Sequence, residues 1–184
     1  MYTPGEEIVQ IVDEHNRELG ELPRRLMRDQ RLIHRASYIL VFNAAGELFI
    51  QKRTTTKDVY PGYWDVAAGG VVQAGETYEQ SAERELAEEL GVGSGSVKLN
   101  FLFDQYYEDQ ENRVWGRIFT CIHEGPFILQ AEEVEYGRFI LPSNVLDESS
   151  SEPFSELFTP DGILVLQKLL AQKEERSVVE KTTR

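Results

Sequence analysis

Hydrophobic positions along the chain come mostly as short apolar runs broken by polar turns, with helical spacing in a few places. Ile8–Asp13 is a short apolar run and predicts a strand, followed by a polar turn over Glu14–Gly20. Pro23 stands where a helix can start, so Leu22–Gln30 predicts one short helix. Ala36–Phe42 is continuously apolar, the pattern of a buried strand. A turn at Asn43–Gly46 and a second run, Leu48–Gln51, predict a hairpin. Arg53–Trp64 reads as a loop, and Val66–Val72 as a small apolar segment interrupted by Gly69 and Gly70.

The helical period is clearest over Glu76–Leu90, where Tyr78, Ala82, Leu86 and Leu90 share a face and Gly91 is the expected stop. Val97–Tyr107 and Val114–His123 predict strands around a polar turn at Glu108–Arg113, with a further strand at Gly137–Leu141. Thr159 and Pro160 mark a helix start, and the stripe Ile163, Leu166, Leu169, Leu170 carries that helix to about Gln172. Residues 1–172 therefore read as one domain of α/β or α+β class, with 173–184 a polar C-terminal tail.

Composition narrows the function. A chain of 184 residues is of single-domain size, and 41% hydrophobic with 28% charged residues is globular usage. Nineteen Lys and Arg face 32 Asp and Glu, a net charge of −13. Such a surface repels nucleic acid polymers and anionic membranes. It also repels phosphorylated small molecules, unless a bound cation reverses the local sign. The single Cys121 permits no internal disulfide, so a reduced, cytoplasmic setting is expected. Met1–Glu7 carries two acids and no basic region, unlike a signal peptide, and the uncharged stretch Ala36–Gly46 around the first long strand is too short to span a bilayer.

On the Glu76–Leu90 helix, Glu85, Glu88 and Glu89 occupy an arc of roughly 100° beside the Ala82/Leu86/Leu90 stripe. Like charges at such spacings destabilise a helix by a few tenths of a kcal/mol per pair, and partial burial raises the cost. Divalent cations remove it, and hard oxygen ligands suit Mg²⁺ or Mn²⁺. The helix is entered through a glycine-rich turn, Gly69–Gly70 and Gly75.

Gly70–Val92 matches the Nudix box, GX5EX7REUXEEXGU with U a bulky aliphatic, at every specified position. Seven fixed and two aliphatic residues coincide by chance on the order of 10⁻⁸ per start point. The flanking pattern over about residues 5–172 also resembles a whole Nudix domain. The resemblance implies an α/β/α sandwich with a mixed sheet between helices, and a metal-dependent pyrophosphohydrolase that cuts a nucleoside diphosphate linked to another group or a related organic diphosphate. By that resemblance Glu85, Glu88 and Glu89 hold Mg²⁺ or Mn²⁺, the carbonyl of Gly69 joins them, and Glu76 pairs with Arg84 to orient the segment that opens at Gly70. In the loop Ala131–Glu135 before the last strand, Glu133 best fits the metal-binding or basic Glu of many relatives, ahead of Glu132 and Glu135. Glu85 or Glu133 would assist the attacking water. Homodimers are common in that family.

Leu32–Ala36, Gln51–Arg53, Lys57–Asp65 and the early Ile8–Gly20 segment resemble the isopentenyl-diphosphate isomerase branch. Gly69 and Val71 stand where the isomerase needs its Cys and a metal-binding His, so the resemblance implies an isomerase-like hydrolase. Isomerisation and a non-catalytic nucleotide-binding module are the alternatives. His34, its partner His missing, is expected to be structural. Arg53 and Lys57 are the candidate phosphate contacts. Tyr60, Trp64, Tyr106, Tyr107 and Trp115 could stack on a base or pack on an organic tail.

Overall fold

The computed structural model describes residues 4–151 and 157–182. Its frame is set by the strand β3, His34–Phe42, whose apolar run leaves almost no residue exposed. Two N-terminal strands precede it, β1 (Ile8–Val12) and β2 (Glu18–Pro23), then a helix α1 (Arg24–Asp29). After it come β4 (Leu48–Arg53), β5 (Trp64–Asp65), β6 (Ala68–Val71), α2 (Tyr78–Leu90), β7 (Asn100–Glu108), β8 (Arg113–Ile122), β9 (Val134–Ile140), α3 (Pro142–Ser150) and α4 (Pro160–Thr182).

One edge of β3 pairs in parallel with β8 from His34↔Val114 to Phe42↔Ile122, and β8 pairs antiparallel with β7. The other edge takes β6 antiparallel, Ala36↔Val71 to Ile39↔Ala68. The sheet is therefore mixed. Alternation along β3 sends Ile39 and Val41 to one face and Leu40 and Phe42 to the other. The first pair packs with Ala82, Leu86 and Leu90 of α2. The second packs with Val165, Leu166 and Leu169 of α4 and Val145 of α3. Burying each such Leu is worth about 1.5–3 kcal/mol, which outweighs the repulsion among the α2 carboxylates. The outcome is the expected sandwich of helices about a mixed sheet.

Several boundaries differ from the sequence expectation. β2 begins at Glu18 inside the predicted turn, and Leu22 belongs to it rather than to the helix, which starts only after Pro23. The turn at Asn43–Gly46 forms, but β3 and β4 register only at Phe42↔Leu48. Beyond that point β6 occupies the edge of β3, and β4 pairs instead with β9 and β5. The helix α3 follows Pro142 at its first position without an apolar stripe long enough to announce it. The helix α4 continues past its apolar stripe to Thr182. Among the described residues, no helix is long and apolar enough to cross a membrane.

Candidate active site

The helix α2 is fixed at both ends by its own sequence. Thr77 accepts from the Gln80 amide at 3.1 Å while the Gln80 side chain accepts from the Thr77 amide at 2.9 Å, a reciprocal cap. Gly91 closes the helix at φ 68°, a left-handed conformation that costs glycine nothing. So anchored, α2 lays its carboxylates against β6. Glu85 and Glu89 turn inward, with side chains 10% and 1% exposed, whereas Glu88 is 51% exposed.

Backbone without side chains makes room for the inward pair. A Cβ on Gly70 would stand 2.4 Å from Glu85 Oε1, and one on Gly69 would stand 1.9 Å from the Ser37 carbonyl oxygen. The Gly69 amide donates to Glu89 Oε2 at 3.0 Å, and the buried Gln51 side chain donates to the same oxygen at 2.9 Å. Glu89 Oε1 is buried with no hydrogen-bond partner; its nearest cation is Lys57 Nζ at 3.6 Å.

Two side-chain cations knit the acids together. Arg84 donates through Nε and Nη2 to both oxygens of Glu76, at 2.8 and 3.0 Å, the expected pair in its strong two-pronged form. Its Nη1 donates to Glu85 at 2.7 Å and Glu88 at 3.1 Å, and Nη2 also reaches the Val71 carbonyl at 3.2 Å. Lys57 Nζ donates to Glu133. Burial, reinforced by Glu89, pushes the Glu85 carboxyl up to about 8 against the pull of Arg84. Burial raises Glu89 as well, while against burial the Lys57 ammonium holds Glu133 below its ordinary value.

These groups edge a cleft of about 280 Å³. Glu85, Glu88, Glu133, Gly69 and Gly70 line it, together with His34, Ala36 and Tyr38 of β3 and with Lys57 and Tyr60 from the loop between β4 and β5. Arg53 also lines it, but its donors are engaged, Nη1 by Asp65 at 3.2 Å, Nη2 by the Val59 carbonyl at 2.8 Å and Nε by the Tyr60 carbonyl at 3.3 Å. His34 is buried; burial, with Arg28 beside it, pushes its pKa down to about 3, so the ring is neutral. Its Nδ1 lies 3.3 Å from the Leu32 carbonyl and its Nε2 3.5 Å from Arg28, the contacts of a structural histidine.

Of the five aromatics singled out in the sequence, only Tyr60 lines the cleft. Its hydroxyl and that of Tyr107 both donate to Asp109. Trp64 is core beneath α4, and Tyr106 packs on Trp115. Glu132 accepts from Thr54 through its backbone carbonyl, and the side chains of Glu132 and Glu135 are exposed. Sequence reasoning missed Gln51, Arg24, Arg28, Asp58 and Asp161. Arg24 and Arg28 share the Asp58 carboxylate at the α1 end of the cleft, and Asp161 accepts from the Tyr38 hydroxyl at 2.7 Å. Only the i, i+4 spacing of the two arginines hinted at a common partner.

A mixed sheet between helices, with a cleft of paired acids and bases beside a capped Glu-rich helix, defines the class as a small α/β/α sandwich. The particular family follows from comparison: residues 32–161 match the NUDIX domain, and the chain belongs to the Nudix hydrolases, which act on phosphoanhydride bonds. It is 46% identical over 164 residues to PA4841 of Pseudomonas aeruginosa, described as an uncharacterized Nudix hydrolase, covering 89% of this chain and 94% of that relative. It is 39% identical over 177 residues to YfcD of Escherichia coli K12, described in the same words, covering 96% and 94%. The fold is shared with DR0079 from Deinococcus radiodurans (TM-score 0.77, 24% identity, 88% of this chain and 98% of that one). It is shared also with a MutT protein from Methanosarcina mazei Go1 (TM-score 0.63, 19% identity, 77% and 95%). Isomerisation is not favoured by these relatives. The backbone opposes it too, because a cysteine at position 69 would drive its Cβ into the Ser37 carbonyl at φ +148°.

Nudix hydrolases in general need divalent metal ions. Among the described residues no three acids, imidazoles or thiols converge as a finished cage; Arg84 and Lys57 stand between the carboxylates instead. The donor set nonetheless fits a hard cation. It is all oxygen, it carries an orphaned buried Glu89 Oε1, and Glu85 lies in a notch that any side chain at position 70 would fill.

Proposed function

We propose that the chain is a metal-dependent pyrophosphohydrolase for a nucleoside diphosphate linked to another group, or a related organic diphosphate. The observation that carries the proposal is that carboxylates from two separate elements line one cleft, Glu85 and Glu88 from α2 and Glu133 from the turn before β9. On a chain of net charge −13 these acids oppose a dense anion, and a bound divalent cation beside Arg84 and Lys57 removes that opposition.

A divalent cation, Mg²⁺ or Mn²⁺, bound by Glu85, Glu88, Glu89 and the Gly69 carbonyl, supplies charge to the diphosphate oxygens and lowers the pKa of bound water. The protein does the rest. Arg84, braced by Glu76, sets the direction of Glu85 and Glu88. Gln51 and the Gly69 amide fix Glu89 through Oε2 and leave Oε1 for the cation. Lys57 contacts the phosphate as a point charge. Arg53 supports it by holding the loop that carries Lys57. Glu133 takes a proton from the attacking water as the oxygen bonds to phosphorus and the anhydride P–O bond breaks. Glu85, held by Arg84 beside Gly70, is the other candidate base.

The test is phosphate release with Mg²⁺ across nucleotide sugars, dinucleotides, deoxynucleoside triphosphates and isoprenoid diphosphates, run in oxygen-18 water. Label is expected in a phosphate product. Isomerised isoprenoid diphosphate without labelled phosphate would overturn the proposal. Glu133→Gln is expected to lower kcat by about 10²–10⁴-fold; an unchanged kcat would remove Glu133 from the chemistry.

A further inference from the structure

The last carbonyls of any helix lack partners within it. At the end of α2 these are supplied from outside. Ile128 donates its amide to the Leu90 carbonyl at 3.0 Å, and Gln130 donates its amide to the Glu89 carbonyl at 3.1 Å. The Gln130 carbonyl then accepts from the amides of Glu133 at 3.0 Å and Val134 at 2.8 Å, closing the turn that presents Glu133. Residue 130 is thus the joint between the helix that carries Glu89 and the turn that carries Glu133.

The side chain of Gln130 has its own unexplained feature. The residue lines the cleft together with Glu85, Glu88 and Glu133, and its Oε1 is buried without a hydrogen-bond partner. Glu89 Oε1 is in the same condition. Buried oxygens of this kind are normally met by a donor or a cation. Gln51, whose amide nitrogen is spent on Glu89, also has a buried Oε1 without a partner, so three acceptors stand open where a single water has two protons. A divalent cation with six or more oxygen ligands is matched to the number, and an amide carbonyl is a hard, neutral member of such a shell. Adding a neutral oxygen supplies a ligand without further like-charge repulsion among the acids.

We propose that the side-chain carbonyl of Gln130 is a further oxygen donor to the divalent cation at this site, contributed from outside the helix that carries the acids. This rests on the metal-dependent function proposed above. Because the backbone bonds of residue 130 persist in any non-proline variant, the side chain can be tested separately from the joint.

The full-length protein, its Gln130→Met variant and its Gln130→Glu variant are titrated with Mn²⁺, and free Mn²⁺ is followed by electron paramagnetic resonance. Gln130→Met keeps the length and loses the oxygen, and is expected to weaken the tightest Mn²⁺ site by on the order of tenfold. Gln130→Glu keeps an oxygen at the same reach and is expected to bind Mn²⁺ at least as tightly as the unaltered protein. Near-ultraviolet circular dichroism of both variants should overlay on that of the parent. Unchanged Mn²⁺ affinity in Gln130→Met overturns the inference alone, leaving the hydrolase reading intact. Equal weakening in both variants overturns it as well, since a structural side chain would behave that way. An unaltered protein that takes up no Mn²⁺ overturns this inference together with the metal dependence it rests on.

Discussion

Glu85, Glu88 and Glu89 are neighbours on one helix, yet they sit in three environments. Glu85 is clamped by Arg84, Glu88 faces solvent, and Glu89 is sealed behind Gly69 and Gln51. Arg84 organises the first two, so its brace matters. Glu76→Gln removes charge from a two-pronged ion pair worth about 1–3 kcal/mol, and is expected to lower Tm by roughly 2–10 °C and reduce kcat without unfolding the chain. Thermal unfolding with parallel assays checks this; an unchanged Tm and kcat would show that the pair orients nothing. Asp161 offers a pH test away from the acids. Burial, reinforced by Asp65, pushes its carboxyl up to about 6, with the Tyr38 hydroxyl and the Gly162 amide pulling the other way. The unfolded value is near 4, so the folded chain holds this proton more tightly. That contribution to stability is present below about pH 4 and is lost as pH rises through about 6. Asp161→Asn, which mimics the protonated acid, should gain on the parent by roughly 2 kcal/mol between pH 4 and pH 7. Urea unfolding at both pH values measures it, and parallel pH curves would refute it.

Helix α2 shows how an element serves a site. Its apolar stripe anchors it, its two caps set its ends, and only then do the carboxylates have a defined direction. Thr77→Ala breaks the reciprocal cap and should cost about 1 kcal/mol, read as a lower urea midpoint with an unchanged slope. Gly70→Ala is a different experiment on the same assembly. The new methyl group must displace Glu85, so kcat is expected to fall by at least tenfold while Tm moves little. A variant with full activity would mean that Glu85 is free to shift without consequence. The helix and its stop were legible because they depend on local spacing: Tyr78, Ala82, Leu86 and Leu90 for the face and Gly91 for the end, whereas the cap at Thr77, one residue inside the expected start, was shown by the structure. The helix α3 was not legible, since its nine residues owe their conformation to Pro142 and to packing of Val145 on α4 rather than to a repeating stripe.

At the scale of the molecule, a charge of −13 and the carboxylates lining the cleft oppose an anionic substrate, and the cleft's own Arg and Lys are largely spent on those carboxylates, which leaves a role for bound cations. Chelation of divalent ions is therefore expected to abolish turnover, and excess Mg²⁺ or Mn²⁺ to restore it, in an assay of phosphate release. Turnover that survives exhaustive chelation would place the chemistry elsewhere. Low ionic strength should not rescue the chelated enzyme, because it strengthens the repulsion between protein and substrate.

The residues from Gly70 to Val92 carried most of what could be known in advance. Their spacing specified a helix and an acid arc on it, and their resemblance to the Nudix box supplied the Glu76–Arg84 pair; each depends on contacts within a few turns of the chain. Glu133 could be nominated only by its place before a strand. What brings it to the site is the unsatisfied end of α2, which docks residues 128–130 and so carries Gln130 and Glu133 beside Glu89. The engagement of Arg53 by its own loop, the neutral buried His34, the retreat of Trp64 into the core and the role of Gln51 were likewise decided by tertiary structure. Each depends on partners far away in the sequence, and a charge or an amide by itself does not record which distant group will satisfy it.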